Sequence, residues 1–286
     1  MRVPFRMVDV FAERPFEGNR LCVVPETPPD LETRAMQTLA LEINFSETTF
    51  VTAVRPDGYD VRIFTPDAEL PFAGHPTLGT AFVLASEGRT GTETVQRCAA
   101  GDIPVEVDLA AGRAVMHQLP PAFGRTFDDR DAVARAAGLA TKDLVEGLPI
   151  VPASTGIWHL MVPVRDEAAL RRASRHARTA DVCAVADHVE SLYLFTVRGD
   201  GDVMARMFDR GEGIGEDPAT GSAAGPLGAY LAQHGLAGVP GDVTIAQGEL
   251  TGRPSRLDVR VEPDGATWRV SVAGGVRRVG EGVFEL

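Results

Sequence analysis

Hydrophobic and polar positions alternate in short runs along much of the chain. Such runs of four to seven residues, rich in β-branched and aromatic side chains, are typical of strands half buried in a sheet. Turn signals such as Pro56-Asp57-Gly58 separate them. The clearest predicted strands are Val8–Phe11, Leu21–Val24, Thr48–Val54, Tyr59–Phe64, Val105–Leu109 and Ala114–Gln118.

Longer amphipathic or alanine-rich segments interrupt the strands at wide intervals. Their apolar positions recur with helical spacing, and several begin near Pro or Asp and end near Gly. The predicted helices are Pro29–Leu41, Pro76–Ser86, Asp129–Gly138, Glu167–Arg178 and Ala223–Gly235. Many short strands with few helices indicate an α+β protein.

The two halves of the sequence resemble each other. Three features of the first half recur in the second. The run from Ser46 to Phe50 matches Ser191 to Phe195 at an offset of 145, and the Arg-x-Phe motif ending at Phe64 matches the one ending at Phe208 at an offset of 144. The small-residue loop around Gly74 matches the loop around Gly221 at an offset of 147. Similarity by chance in an alanine-rich chain is the alternative. We favour a duplicated α+β unit, with domains 1–118 and 119–277, the segment Leu119–Ala122 as hinge, and a tail 278–286 that returns to the first domain. Duplication implies equivalent loops facing one cleft.

Composition excludes several classes of function. The net charge is −12, and the one basic cluster, Arg171–Arg178, is typical of a solvated helix face, so neither nucleic acid nor an anionic membrane is expected as a partner. Cys22, Cys98 and Cys183 are isolated, without zinc or disulfide spacing. The only lysine, Lys142, lies in a polar stretch, which argues against Schiff-base chemistry.

Two loops have the features of anion sites. Phe72 to Gly79 and Glu216 to Ala223 each place small residues before a predicted helix. Amides at a helix N-terminus, together with the helix dipole, bind anions. Glycines that only permit tight turns are the alternative. A facing pair of such ends would hold a carboxylate and stabilise developing negative charge. The segment Gly211–Gly215 lacks dinucleotide spacing and is interpreted as a loop leading to Asp217.

Glu47 is the candidate proton carrier. It follows Asn44-Phe45-Ser46 and precedes the apolar run Thr48–Val51, where apolar walls would raise its pKa. A solvated glutamate at a strand end is the alternative. His75 and Asp217 lie beside the two loops and are candidates to orient substrate or exchange a proton. Neither has the spacing of a metal pair, so no metal is expected. His117, His159, His176, His188 and His234 remain unassigned.

These residues, taken in order, resemble the PhzF-like family of phenazine-biosynthesis isomerases, within the diaminopimelate epimerase-like fold. The resemblance runs nearly end to end. It is carried by Val8 to Phe11, Gly18-Asn19, Asn44 to Thr48, Gly74 to Thr77, Asp217 to Ala223, Gln247-Gly248 and Gly252 to Ser255.

The resemblance implies a specific architecture and chemistry. Two pseudo-symmetric domains, each a mostly antiparallel sheet wrapped around a central helix, would hold the active site between them, and the protein would be a homodimer without a cofactor. Independently of the resemblance, Met1 to Phe11 lacks the apolar region of a signal peptide and no stretch approaches a membrane span, so a cytoplasmic protein is expected. Glu47 would move a proton across one face of a cyclic dihydroxyanthranilate-type substrate. His75, Asp217 and Ser222 would line the site, while Ser46, Gly74 and Gly221 would contact the carboxylate and amine of the substrate.

Two departures refine this expectation. Racemases of the wider fold use two cysteines, one in each loop, where this chain has Ala73 and Thr220, so a two-thiol mechanism is excluded. Arg20 stands where many relatives have proline. The function favoured is therefore a cofactor-independent isomerase acting on a small carboxylate. The alternatives are a racemase-like or epimerase-like enzyme and a non-catalytic small-molecule-binding protein of the same fold.

Overall fold

The computed structural model describes residues 1–186, 189–199, 201–211 and 215–286, which divide into two compact units. Unit 1 comprises Met1–Gln118 and Ala273–Leu286, and unit 2 comprises Leu119–Val272. Each unit combines a few helices with mostly antiparallel strands. The α+β class predicted from the sequence is confirmed. Across the described residues, no helix has both the length and the apolar character needed to cross a membrane.

Unit 1 contains two helices and eight complete strands. The helices are α1 (Thr33–Ile43) and α2 (Gly74–Ser86). The strands are β1 (Arg2–Val10), β2 (Asn19–Val24), β3 (Glu47–Arg55), β4 (Gly58–Phe64), β5 (Glu69–Leu70), β6 (Glu93–Cys98), β7 (Gly101–Asp108) and β8 (Arg113–His117).

Unit 2 has more helices, most of them short. They are α3 (Arg130–Ala136), α4 (Glu167–Arg172), α5 (Thr179–Val185) and α6 (Gly221–Gln233), with 3₁₀ turns at Thr141–Asp143 and Glu249–Thr251. The strands are β9 (Ala122–Phe123), β10 (Val151–Ser154), β11 (Trp158–Pro163), β12 (Ser191–Val197), β13 (Val203–Asp209), β14 (Glu216–Asp217), β15 (Gly241–Gln247) and β16 (Ser255–Asp264). Strand β17 (Thr267–Glu285) has residues in both units.

The order of strand pairing is the same in the two units. In unit 1, β1 is antiparallel to β2, β2 parallel to β3, β3 antiparallel to β4, β4 parallel to β6, and β6 antiparallel to β7. In unit 2, β10 to β13, β15 and β16 repeat these pairings in the same sense. A short strand, β5 or β14, pairs with the fourth strand of each set. The duplication inferred from the sequence is therefore confirmed at the level of topology.

A buried central helix forms the core of each unit. Helices α2 and α6 are buried on nearly every side, as expected of helices whose sequence is apolar all round. Glycine lets each helix lie close to the sheet. A Cβ at Gly79 would come within 2.6 Å of Leu21 Cδ2, and one at Gly228 within 2.7 Å of Val259 Cγ1. A sheet wrapped around a central helix is therefore the architecture of both units.

In the basic segment, the structure has two short helices where the sequence predicted one. The prediction of one helix over Glu167–Arg178 is wrong, because α4 ends at Arg172 and a separate helix, α5, follows. The Arg175 guanidinium donates to the carbonyl oxygens of Asp209, Arg210 and Gly211. These bonds fix Arg175 against the end of β13, so the cluster is not a continuous solvated helix face.

Two sequence interpretations fall outside the part of the chain that is described. The predicted loop Gly211–Gly215 contains residues 212–214, and the unassigned His188 is also outside the described residues. The adjoining Asp217 is described and is the last residue of β14.

Candidate active site

The predicted site residues of unit 1 meet where β3 begins and α2 begins. Glu47 is the first residue of β3, and Gly74 and His75 are the first two residues of α2. Glu47 Oε2 lies 3.4 Å from His75 Nε2, with the Glu47 side chain 13% and the His75 side chain 3% exposed. Residues 28 positions apart in the sequence therefore form a carboxylate–imidazole pair that is mostly removed from water.

Asn19 and Ser46 fix the orientation of the His75 ring. Ser46 Oγ donates to Asn19 Oδ1 at 3.1 Å, and Asn19 Nδ2 lies 3.2 Å from His75 Nδ1. Asn19 and a backbone group of Arg20 thus hold the ring in place. The Nε2 side of the ring therefore faces Glu47.

Burial keeps His75 neutral. Desolvation lowers the pKa of His75 to about 3, and a hydrogen bond to the backbone of Arg20 opposes this only in part. Arg20 itself directs its guanidinium over the Phe45 ring, 5.0 Å from the ring centroid. At neutral pH, His75 is consequently a neutral imidazole beside Glu47.

In unit 2, Asp217 and Thr220 are held by a buried glutamine. Thr220 Oγ1 donates to Asp217 Oδ2 at 2.5 Å. Gln247 Nε2 donates to the Asp217 carbonyl at 2.8 Å and to Thr220 Oγ1 at 2.9 Å, and Gln247 Oε1 accepts from the Tyr193 hydroxyl at 3.0 Å. Every polar atom of the Gln247 side chain is used, so the Asp217 carboxylate has a fixed support.

Ser222, the second residue of α6, lies in another buried cluster of unit 2. His159 Nε2 is 3.1 Å from Ser222 Oγ, and His159 Nδ1 is 2.8 Å from Ser191 Oγ. Desolvation lowers the pKa of His159 to about 3. A neutral imidazole therefore joins the two hydroxyls.

At the start of each central helix, the residue in the N-cap position does not cap the helix with its own side chain. Ala73 precedes α2 and Thr220 precedes α6, and neither forms a side-chain N-cap hydrogen bond. Gly74 and Gly221 are buried as the first residues of their helices. The Thr220 hydroxyl is directed to Asp217 instead. Both helix starts keep the small residues that suit the approach of an anion.

Sequence reasoning missed the residues that support this site. No sequence motif linked His159 to other candidate residues, and the roles of Asn19, Ser191 and Gln247 were not recognised. The internal repeat contained part of the signal, because Ser191 matches Ser46 and both serines contribute to the hydrogen bonding of a buried histidine. No spacing pattern in the sequence connects His159 to either of its partners.

The described residues provide neither a metal-binding cluster nor, at Cys22 and Cys183, an ionised thiol. Among the described residues, no cluster of three or more His, Cys, Asp and Glu side chains has the geometry to hold a metal ion. Burial raises the pKa of both Cys22 and Cys183 to about 12, and these residues lie in β2 and α5. Neither thiol is ionised at neutral pH, which excludes them as proton carriers.

Known proteins are similar to this chain in sequence and in fold. The family model PhzC-PhzF, described as phenazine biosynthesis-like protein, matches residues 8–282. A trans-2,3-dihydro-3-hydroxyanthranilate isomerase from Pseudomonas aeruginosa is 36% identical, over 93% of this chain and 92% of the relative. The expectation of an isomerase agrees with the activity in that name.

Solved structures show the same fold. A predicted epimerase from Pseudomonas aeruginosa has a TM-score of 0.87 at 34% identity, covering 99% of both chains. A probable proline racemase from Agrobacterium radiobacter has a TM-score of 0.68 at 13% identity, covering 99% of this chain and 93% of that one, which confirms the epimerase-like fold alone. On the family match and the 36% identity together, the chain belongs to the phenazine biosynthesis-like PhzC-PhzF family.

Proposed function

We propose that the protein is a cofactor-independent isomerase in which Glu47 removes a proton from one carbon of a small cyclic carboxylate and returns it to another. The observation that carries this proposal is the contact between the mostly buried Glu47 carboxylate and the Nε2 atom of His75. A positioned carboxylate away from bulk water is suited to proton transfer at carbon.

The protonation state of His75 supports this role. A cationic imidazole would stabilise the Glu47 anion and weaken it as a base, whereas a neutral imidazole leaves the negative charge on the carboxylate. Because burial lowers the pKa of His75 to about 3, the neutral form is present at neutral pH. His75 therefore lies beside Glu47 without neutralising its charge.

The proton balance is closed within the substrate. Glu47 takes a proton from a carbon next to a double bond, the electron pair of that C–H bond forms a new double bond, and the original double bond accepts the same proton at its far end. Neither an oxidant nor a reductant is consumed. Residues that stabilise the developing negative charge would lower the barrier.

The name of a relative supports the proposed substrate class. The Pseudomonas aeruginosa relative is named for trans-2,3-dihydro-3-hydroxyanthranilate, a cyclic amino carboxylate. We assign the contacts with the carboxylate and amine of such a substrate to Ser46, Gly74, Gly221 and Ser222, and substrate orientation to Asp217.

Glu47→Gln tests the proposal, since glutamine keeps the size of the side chain but cannot hold the transferred proton. We expect turnover of trans-2,3-dihydro-3-hydroxyanthranilate to fall about 10²- to 10⁴-fold, with an unchanged thermal midpoint. Glu42→Gln, on the exposed face of α1, is the matched control and should keep full activity. Proton NMR in deuterium oxide follows the reaction. Glu47→Gln turnover equal to that of the control would refute the role of Glu47.

The same spectra separate isomerisation from epimerisation. Migration of the double bond supports the proposed reaction, whereas deuterium incorporation at a single carbon with inversion identifies an epimerase. We also propose a homodimer, on the family resemblance, and size-exclusion chromatography with light scattering measures its mass directly.

A further inference from the structure

His159 and Ser191 lie outside the set of residues to which the proposed reaction assigns a task. Both are buried, at 2% and 0% exposure, and the pair lies beside Ser222 at the start of α6. His159 is on β11 and Ser191 is the first residue of β12, and these neighbouring parallel strands place the two residues opposite each other in register. The ring therefore has a fixed position in the sheet.

Ser191 sets the direction of the hydrogen bonds that link it to His159 and Ser222. Within the described residues, Ser191 Oγ has one hydrogen bond, to His159 Nδ1 at 2.8 Å. The hydroxyl is fully buried, so its proton has no other acceptor and must be donated to Nδ1 to avoid an unsatisfied donor. Nδ1 is then an acceptor and carries no proton.

The single proton of the neutral ring is consequently on Nε2. Burial disfavours the cationic ring, and an imidazole that accepts at one nitrogen donates from the other. Nε2 lies 3.1 Å from Ser222 Oγ, so the ring donates to that oxygen.

Ser222 then has a proton to give. Its oxygen accepts from His159, and within the described part of the chain its side chain has no further hydrogen-bond partner. The residue is 6% exposed at the N-terminal turn of α6. Its O–H proton and the helix dipole both favour a negatively charged ligand.

We propose that His159 is a positioning residue that, held in one tautomer by Ser191, orients the Ser222 hydroxyl as a hydrogen-bond donor to the substrate carboxylate. The relay runs from Ser191 through His159 to Ser222, with every donor pointing the same way, which strengthens the terminal bond. This inference rests on the proposed function only in naming a carboxylate as the acceptor.

Unit 1 contains a comparable relay that ends differently. Ser46 donates to Asn19, whose Nδ2 lies 3.2 Å from His75 Nδ1, and His75 Nε2 lies 3.4 Å from Glu47 Oε2. Both units therefore include a serine, at the start of a strand or immediately before it, in the hydrogen bonding around a buried histidine. The first ring lies beside a carboxylate of the protein, and the second lies beside a hydroxyl that can donate to a ligand.

The first test measures the tautomer without any ligand. In the full chain labelled with ¹⁵N-histidine, long-range ¹H–¹⁵N correlation spectra at pH 7 distinguish a protonated Nε2 from a protonated Nδ1. His159→Gln assigns the signals by removing them. We expect the neutral Nε2–H form. A proton on Nδ1, or a cationic ring, would overturn the proposal.

The second test uses trans-2,3-dihydro-3-hydroxyanthranilate as the substrate. Removal of the terminal donor in Ser222→Ala should raise KM about 10- to 100-fold, and Ser191→Ala should raise it about 2- to 10-fold with kcat nearly unchanged. Ser191→Ala should add nothing in the Ser222→Ala background. Ser86→Ala, which removes a hydroxyl bonded to the Val83 carbonyl in α2, is the control for loss of a hydroxyl and should leave KM unchanged.

A purely structural role for Ser191 predicts the opposite pattern. Loss of folded protein would lower apparent kcat and thermal midpoint while KM stayed constant, and its effect would persist in the Ser222→Ala background. Either result would refute the relay. If wild-type protein does not convert this substrate, the substrate assignment fails while the tautomer measurement still decides the inference.

Discussion

Glu216→Gln should destabilise unit 2 much more than its counterpart Glu69→Gln destabilises unit 1. In unit 2, Arg206 Nε and Nη2 donate to Glu216 at 2.8 and 2.6 Å. In unit 1, Arg62 forms the same two-bond pair with Glu69 at 2.8 and 2.6 Å. The duplication thus supplies two ion pairs of equal geometry that differ in burial.

The magnitude follows from that difference. The side chains of Arg206 and Glu216 are 8% and 20% exposed, whereas those of Arg62 and Glu69 are 30% and 41% exposed. Loss of one partner of a buried pair costs about 3–5 kcal/mol. Arg206 keeps the carbonyl of Leu170 as an acceptor, so we take the low end, about 3 kcal/mol. The more exposed pair is worth about 1 kcal/mol or less.

Aromatic contacts do not account for the expected difference. The Arg206 guanidinium lies 4.8 Å from the Phe208 ring centroid and that of Arg62 lies 5.1 Å from Phe64. These contacts are matched in the two units and are kept in both variants. Burial is therefore the main difference between the two ion pairs, beside the other acceptors that each arginine keeps, which are backbone carbonyls such as that of Leu170 for Arg206 and the Thr33 hydroxyl for Arg62.

Urea unfolding measures the effect, with two signals that separate the units. Both tryptophans, Trp158 and Trp268, are in unit 2, so fluorescence reports that unit while circular dichroism reports the whole chain. Glu216→Gln should move the fluorescence transition to lower urea, and Glu69→Gln should leave it nearly unchanged. Equal destabilisation by the two substitutions, or less than about 1 kcal/mol for Glu216→Gln, would refute the reasoning from burial.

Two further predictions concern buried polar groups of unit 2. Burial raises the pKa of Asp209 to about 6, although a hydrogen bond from the Gly211 backbone N–H acts in the opposite direction. Between about pH 4 and 6 the folded protein therefore binds more protons than the unfolded protein. The stability contributed by this group falls as the pH rises through that window. Thermal midpoints of Asp209→Asn and wild type should therefore diverge in favour of the variant as the pH rises from 4 to 7, and parallel curves would contradict this. Gln247→Leu should cost about 3 kcal/mol in urea unfolding, because it removes the acceptor of the buried Tyr193 hydroxyl and the donor to the Asp217 carbonyl. Tyr193→Phe should recover part of that loss in the Gln247→Leu background, and purely additive effects would count against a shared network.

Sequence patterns predicted the local elements where local forces decide them. The apolar segment Pro76–Ser86 is a helix in the structure, begun two residues earlier at Gly74, because a continuous apolar surface has no stable place except the core. The helix predicted over Glu167–Arg178 failed for a tertiary reason. Arg175 reaches carbonyl oxygens at the end of β13, more than 30 residues away in sequence, and no local propensity includes that interaction.

The candidate site was predictable only in its individual residues. Glu47, His75, Asp217 and Ser222 stand out because they border helix-start loops or match the family pattern. Their supports do not stand out. His159 is bonded to partners 32 and 63 positions away, and a lone histidine in sequence carries no sign of such partners.

The sequence by itself determined the α+β class, the duplication, the two helix-start loops and the family, because each follows from local periodicity or from motifs repeated in order. Tertiary structure alone decided which side chains touch and in which protonation state. A pKa near 3 for His75 and for His159 is a product of complete burial. Burial arises only when strands and helices distant in the chain have packed together, and so the chemistry of the site appears only in the folded protein.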